Sequence, residues 1–86
     1  MNRQQLVRNA IQIVKSEESR RSGRRIGWND AVGILARVVD RSTSTVKTWA
    51  TVEKHKQAHR QISDEFIAKF QTFIRSRYGQ VLSDRR

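Results

Sequence analysis

Apolar residues in this chain never run more than three in succession, yet they return at intervals of three and four along separate stretches. That spacing builds amphipathic helices, each burying one stripe, and it leaves no run of the roughly 20 apolar residues that a membrane-spanning helix requires. Eighty-six residues make one domain, since independent domains run from about 50 to 250 residues. Leu, Ile, Val and Phe supply 21 of the 86 residues, above the roughly 20% below which a highly charged chain stays disordered. The expected fold is all-α: a compact four-helix domain, with three to five helices as the range that the ambiguous segments leave open.

The first helix reads from Asn2 to about Glu18, with Leu6, Ala10, Ile13 and Val14 on its apolar side. Ser19 to Gly27 breaks the period with two Gly, two Ser and four Arg, and reads as a basic loop. Asn29 is a suitable N-cap for a second helix, with Asp30 in its first turn and an end near Val39. Its broad stripe comprises Ala31, Leu35, Val38 and Val39, with Val32 and Ala36 alongside, and Gly33 weakens it. Asp40 and Arg41 form a turn, and Ser42 caps a third helix over about 42–52 that turns Val46, Trp49 and Ala50 inward. Glu53 to Gln61 is weakly patterned and reads as a loop after an extra helical turn. Ser63 caps a last helix, in which Phe66, Ile67, Phe70, Phe73, Ile74 and Tyr78 recur at helical spacing until Gly79 stops it. The domain is therefore expected over 1–79, with 80–86 as a flexible tail.

Without cysteine, disulfides, thiolate metal sites and cysteine nucleophiles are excluded. No pair of catalytic carboxylates, nucleophile with its base, or phosphate loop is present, so the reading is not an enzyme, and no cofactor or small-molecule ligand is called for. His55 and His59 stand four apart, but two ligands do not make a metal site, and imidazoles near phosphate are the better account. Residues 1–5 lack the apolar core of a secretory signal, which predicts a cytoplasmic, bacterial-type protein associated with the nucleoid. Basic residues spread over several helices argue against a membrane surface as partner. The formal net charge of +10, with thirteen Arg and five Lys, instead points to a polyanion.

The short link between the second and third helices suits two helices that cross steeply. The stretch G-I-L-A-R-V-V-D-R-S-T-S-T-V-K-T-W, from Gly33 to Trp49, resembles the helix-turn-helix family of bacterial, phage and plasmid repressors. Leu35 and Val39 fall at the apolar places of the first helix of that motif, Ala36 at the small place of contact, and Val46 and Trp49 at the buried places of the second. Ser42 falls where the recognition helix commonly begins. The sequence departs from the pattern at Asp40, where Gly is frequent, and at Arg41, where an apolar residue is usual. The small basic helical chain is similar also, at greater distance, to plasmid autoregulators of the StbA plasmid-stability type.

The resemblance implies a sequence-specific binder of double-stranded DNA that represses its own or neighbouring genes by occluding a promoter. It places Thr43, Ser44, Lys47, Thr48 and Thr51 on the major-groove face, with Lys47 able to donate to guanine and the hydroxyls able to meet either partner. Three Thr, mediocre helix formers, favour that role over a merely solvated face. Arg20, Arg21, Arg24 and Arg25 read as phosphate contacts, as do Arg41 and Ser42 beside the recognition helix and Lys54, Lys56 and Arg60 beyond it. Part of the stripe at Phe73, Ile74 and Tyr78 reads as core or as a dimer seam, and a homodimer on paired half-sites and monomers on repeated sites both stay open. Trp28 either packs at the start of the second helix or serves as a contact. The competing function is a sequence-indifferent architectural, RNA-binding or ribosome-associated protein.

Overall fold

The computed structural model describes residues 3–50 and 62–83. These form four helices and no strand: α1 (Arg3–Ser22), α2 (Trp28–Val39), α3 (Thr43–Ala50) and α4 (Asp64–Tyr78). The all-α expectation holds. The helices α1 and α2 each pack on the other three, so the core lies between this pair and α3 and α4.

In α1 the buried stripe is Leu6, Val7, Ala10, Ile11 and Val14, wider than the residues expected, with Ile13 at its edge. The helix also runs four residues past its expected end. No Gly or Pro interrupts Ser19 to Ser22, and the final turn is held by tertiary contacts. The Glu18 carboxylate accepts from the Arg77 guanidinium (3.0 and 3.1 Å) and from the Tyr78 hydroxyl (3.0 Å), tying α1 to α4. The Ser19 hydroxyl donates to the Lys15 carbonyl and accepts the Ile26 amide at 2.9 Å, which fastens the following loop. The basic loop is therefore reduced to 23–27.

The N-cap of α2 is Gly27 rather than Asn29, which lies inside the first turn. Glycine offers no capping oxygen, and the task passes to Asp30, whose Oδ2 accepts the Gly27 amide at 3.3 Å. This is half of a capping box. At its other end α2 closes on Asp40 in the left-handed conformation (φ 56°, ψ 49°). The Arg41 amide reaches back to the Ala36 carbonyl (3.0 Å) and the Asp40 amide to that of Arg37 (3.3 Å), the paired bonds of a Schellman motif. Two residues later Ser42 caps α3, its Oγ accepting the Thr45 amide at 3.2 Å. Ser63 caps α4 in the same way, and Gly79, at φ 68°, ends it with an amide bond to the Arg75 carbonyl.

Trp49 sits in the centre of the core, stacked on Phe66 at 5.0 Å between ring centroids and meeting Phe70 edge-on at 6.4 Å. Ile74 and Tyr78 are buried and Phe73 is half-buried, so the stripe on α4 belongs largely to the core. Trp28 also packs against that core. The segment after Gly79 turns back instead of leaving the domain. Leu82 is buried, the Asn9 amide donates to the Ser83 carbonyl (2.7 Å), and the Gln80 amide reaches Glu17 on α1. Residues 80–83 thus pack on α1, whereas a flexible tail was expected from Gln80 onward.

Candidate nucleic-acid interface

Over its described residues α3 is held by capping at Ser42 and by packing of its inward side. Its inward residues Val46, Trp49 and Ala50 are buried as expected. Thr43, Ser44 and Lys47, one turn apart on the opposite side, are exposed. Thr48 is half-buried and its hydroxyl donates to the Ser44 carbonyl at 2.9 Å, which leaves only lone pairs for any other partner. Thr51 lies outside the described residues, as do Lys54, Lys56, Arg60, His55 and His59.

Arginines stand at either end of the described span of α3. The Arg41 guanidinium stands 5.1 Å over the Phe66 ring, which gives this charge an outward position against α4. The Arg8 Nε donates to the Ala50 carbonyl at 2.7 Å, satisfying an acceptor at the other end of the described span from a side chain of α1. The Ser42 hydroxyl is occupied as a cap and is 2.9 Å from that of Thr45.

The four arginines between 20 and 25 do not form one cluster. Arg20 and Arg21 lie in the last turn of α1, outside the loop in which they were expected. Arg20 pairs with Glu17, and Arg21 donates to the Arg77 carbonyl (2.7 Å) and stands over the Tyr78 ring. The Arg20 hydrogen bond, ahead of the opposing effect of burial, holds the Glu17 carboxyl below its ordinary range, and Arg77 does the same for Glu18. Burial first, and then the bond to Glu18, push the Tyr78 hydroxyl up, while Glu18 raises Arg77 further.

Arg24 and Arg25 do remain in the loop, exposed. With Ile26 they form one wall of a cleft of about 520 Å³, whose other wall is the outer side of α2, with Asn29, Gly33 and Arg37. Sequence reading missed Arg37. Its signal is the spacing 30, 33, 37, a helical stripe opposite the apolar one. Gly33 costs the helix about 1 kcal/mol relative to Ala, and a Cβ there would meet nothing within 4 Å, so packing does not account for it.

Among the described residues no group of three or more His, Cys, Asp or Glu side chains is placed to hold a metal ion. No described helix is long and apolar enough to cross a membrane. No family model, curated protein or solved structure matches the chain.

Proposed function

We propose that this protein binds double-stranded DNA in a sequence-specific manner through a helix-turn-helix formed by α2, the 40–42 turn and α3, and acts as a small repressor or autoregulator of phage or plasmid type by occluding promoter DNA. The observation that carries the reading is the division of α3: Val46, Trp49 and Ala50 are buried while Thr43, Ser44 and Lys47 face outward. Hydroxyls and an ammonium on one exposed helical face suit the edges of bases in a major groove. The left-handed backbone at Asp40 supports the reading too, because it is the conformation for which the motif commonly uses glycine. The net charge of +10 supplies attraction to the duplex without sequence preference.

A second reading, nucleic-acid binding without preference, draws on the arginine-lined cleft, since guanidinium groups grip any phosphate backbone alike. Selection from a pool of random duplexes at about 150 mM salt separates the two, because nonspecific attraction weakens there through counterion competition. An enriched motif is expected. Lys47→Ala should then lower preference for that motif over random DNA, while Arg24→Ala weakens both alike. Retained binding with no enriched motif would replace the first reading with the second.

A further inference from the structure

Six of the ten described arginines have partners within the fold: Arg3 on Asp64, Arg8 on the Ala50 carbonyl, Arg20 on Glu17, Arg21 on the Arg77 carbonyl, Arg41 over the Phe66 ring and Arg77 on Glu18. Arg24, Arg25 and Arg37 differ. Their guanidinium groups make no ion pair among the described residues, and all three line the cleft between the 24–26 loop and the outer side of α2. Asp30 is the one carboxylate on its walls, and its Oδ2 accepts the Gly27 amide. Three like charges and one opposite charge leave the cleft with a net positive charge. A second feature points the same way. Gly33 opens the α2 backbone to the cleft at a place where a Cβ would meet nothing within 4 Å, and missing side chains of this kind let a ligand approach a helix closely.

We propose that this cleft is a seat for phosphate oxyanions, held by Arg24, Arg25 and Arg37 over the bare backbone at Gly33. Guanidinium forks match phosphate oxygens in pairs, and two neighbouring phosphodiesters, or one compound carrying several phosphates, answer the excess that a single carboxylate would not. The volume of about 520 Å³ exceeds the needs of one isolated phosphate and lies within the range of clefts that hold small molecules. Two sources share this chemistry: the phosphodiester backbone of a nucleic acid, which rests on the proposed function, and a free compound carrying several phosphates.

The test uses the full chain, its Arg24→Gln/Arg25→Gln/Arg37→Gln triple variant, Gly33→Gln, and Arg75→Gln as a control on an exposed cation of α4. Each is titrated with inorganic tripolyphosphate while backbone amide and Arg Nε–H resonances are followed, and separately with a random-sequence duplex over a range of salt. Tripolyphosphate is expected to shift resonances between 24 and 37, with affinity at least about tenfold weaker in the triple variant and in Gly33→Gln and unchanged in Arg75→Gln. With the duplex, the slope of log K against log salt should become shallower in the triple variant by up to about 2.7, at about 0.9 for each phosphate no longer neutralised. Either effect, confined to the cleft variants, upholds the seat, and which probe produces it identifies the source. Shifts spread over all cations, with Arg75→Gln as damaging as the cleft changes, would overturn it. So would a duplex slope unchanged in the triple variant together with no response to tripolyphosphate, although DNA binding itself would then stand. Failure of the wild-type chain to bind any duplex would remove the proposed function and leave the seat to be decided by tripolyphosphate.

Discussion

Leu82→Ala tests whether the chain end belongs to the domain. Leu82 is 4% exposed in the core, between Gln80 and Ser83, which bond to α1, while its neighbour Val81 is 84% exposed. Truncating Leu to Ala withdraws roughly three methylene equivalents from the core at about 0.8 kcal/mol each, or about 2.4 kcal/mol. A residual cavity raises such losses toward about 5 kcal/mol where the surroundings are rigid. That upper figure does not apply to Leu82, which stands in an irregular segment after α4, where the backbone can settle into the space. The expected loss is therefore about 2 to 3 kcal/mol, which in a domain of this size lowers the thermal midpoint by about 10 to 20 °C. Val81→Ala, changing an exposed side chain, should stay within about 0.5 kcal/mol of wild type. Thermal and urea unfolding followed by far-ultraviolet circular dichroism on both variants gives the comparison. Equal midpoints for the two would mean that the segment after Gly79 contributes nothing to the cooperative unit, and the boundary would return to Gly79.

The carboxylate contacts between α1 and α4 predict the shape of the stability profile with pH. Because the folded state holds Glu18 below its ordinary 4.5, its contribution is complete above that value and is lost as pH falls through the folded value. Glu18→Gln should flatten this acid limb in melts taken across the acid range, and an unaltered limb would remove Glu18 as its source. Tyr78 is raised above 10.0, so its contribution is present below that value and is lost as pH rises through the folded one. Tyr78→Phe should abolish this alkaline limb. At the turn, Asp40→Val places a β-branched residue in the left-handed region and should lower stability by about 1 to 2 kcal/mol, while Asp40→Gly should not; urea midpoints check this, and equal values would contradict the strain argument.

What was legible in the sequence rests on signals confined to neighbouring residues. Ser42, Ser63 and Gly79 announce helix ends because a cap acts within one turn, and Val46, Trp49 and Ala50 announce an inward face because their spacing alone fixes it. The errors lie where a distant partner decides. Glu18 continues α1 by meeting Arg77 and Tyr78, which lie about sixty positions on, and Gln80 and Ser83, on either side of the buried Leu82, find their partners in Glu17 and Asn9 of α1. Gly27 replaces Asn29 as the N-cap, its amide held by the Asp30 carboxylate three residues on, a position that the side chain of Asn29 does not reveal. The cleft was illegible for a related reason: Arg37 joins Arg24 and Arg25 only once the loop folds over the outer side of α2, and the apolar periodicity of α2 marks only its other side.

A count of arginines is consequently a poor map of where a polyanion would bind. Adjacent in sequence, Arg20 and Arg21 are engaged by Glu17, the Arg77 carbonyl and the Tyr78 ring, whereas Arg24 and Arg25 open onto the cleft. Arg8 and Arg41 show what the engaged ones contribute. One anchors the Ala50 carbonyl to α1, the other lies over Phe66 of α4, and between them the described span of α3 is fixed. Hydrogen bonds made by a charged donor are about twice as strong as neutral ones, so a guanidinium suits such an anchorage better than a neutral amide. The orientation of Thr43, Ser44 and Lys47 thus depends on basic residues that need touch no ligand. Reading the charge as a field still holds at long range, where every cation counts. At contact range the same residues divide into those engaged within the fold and those that open onto the cleft.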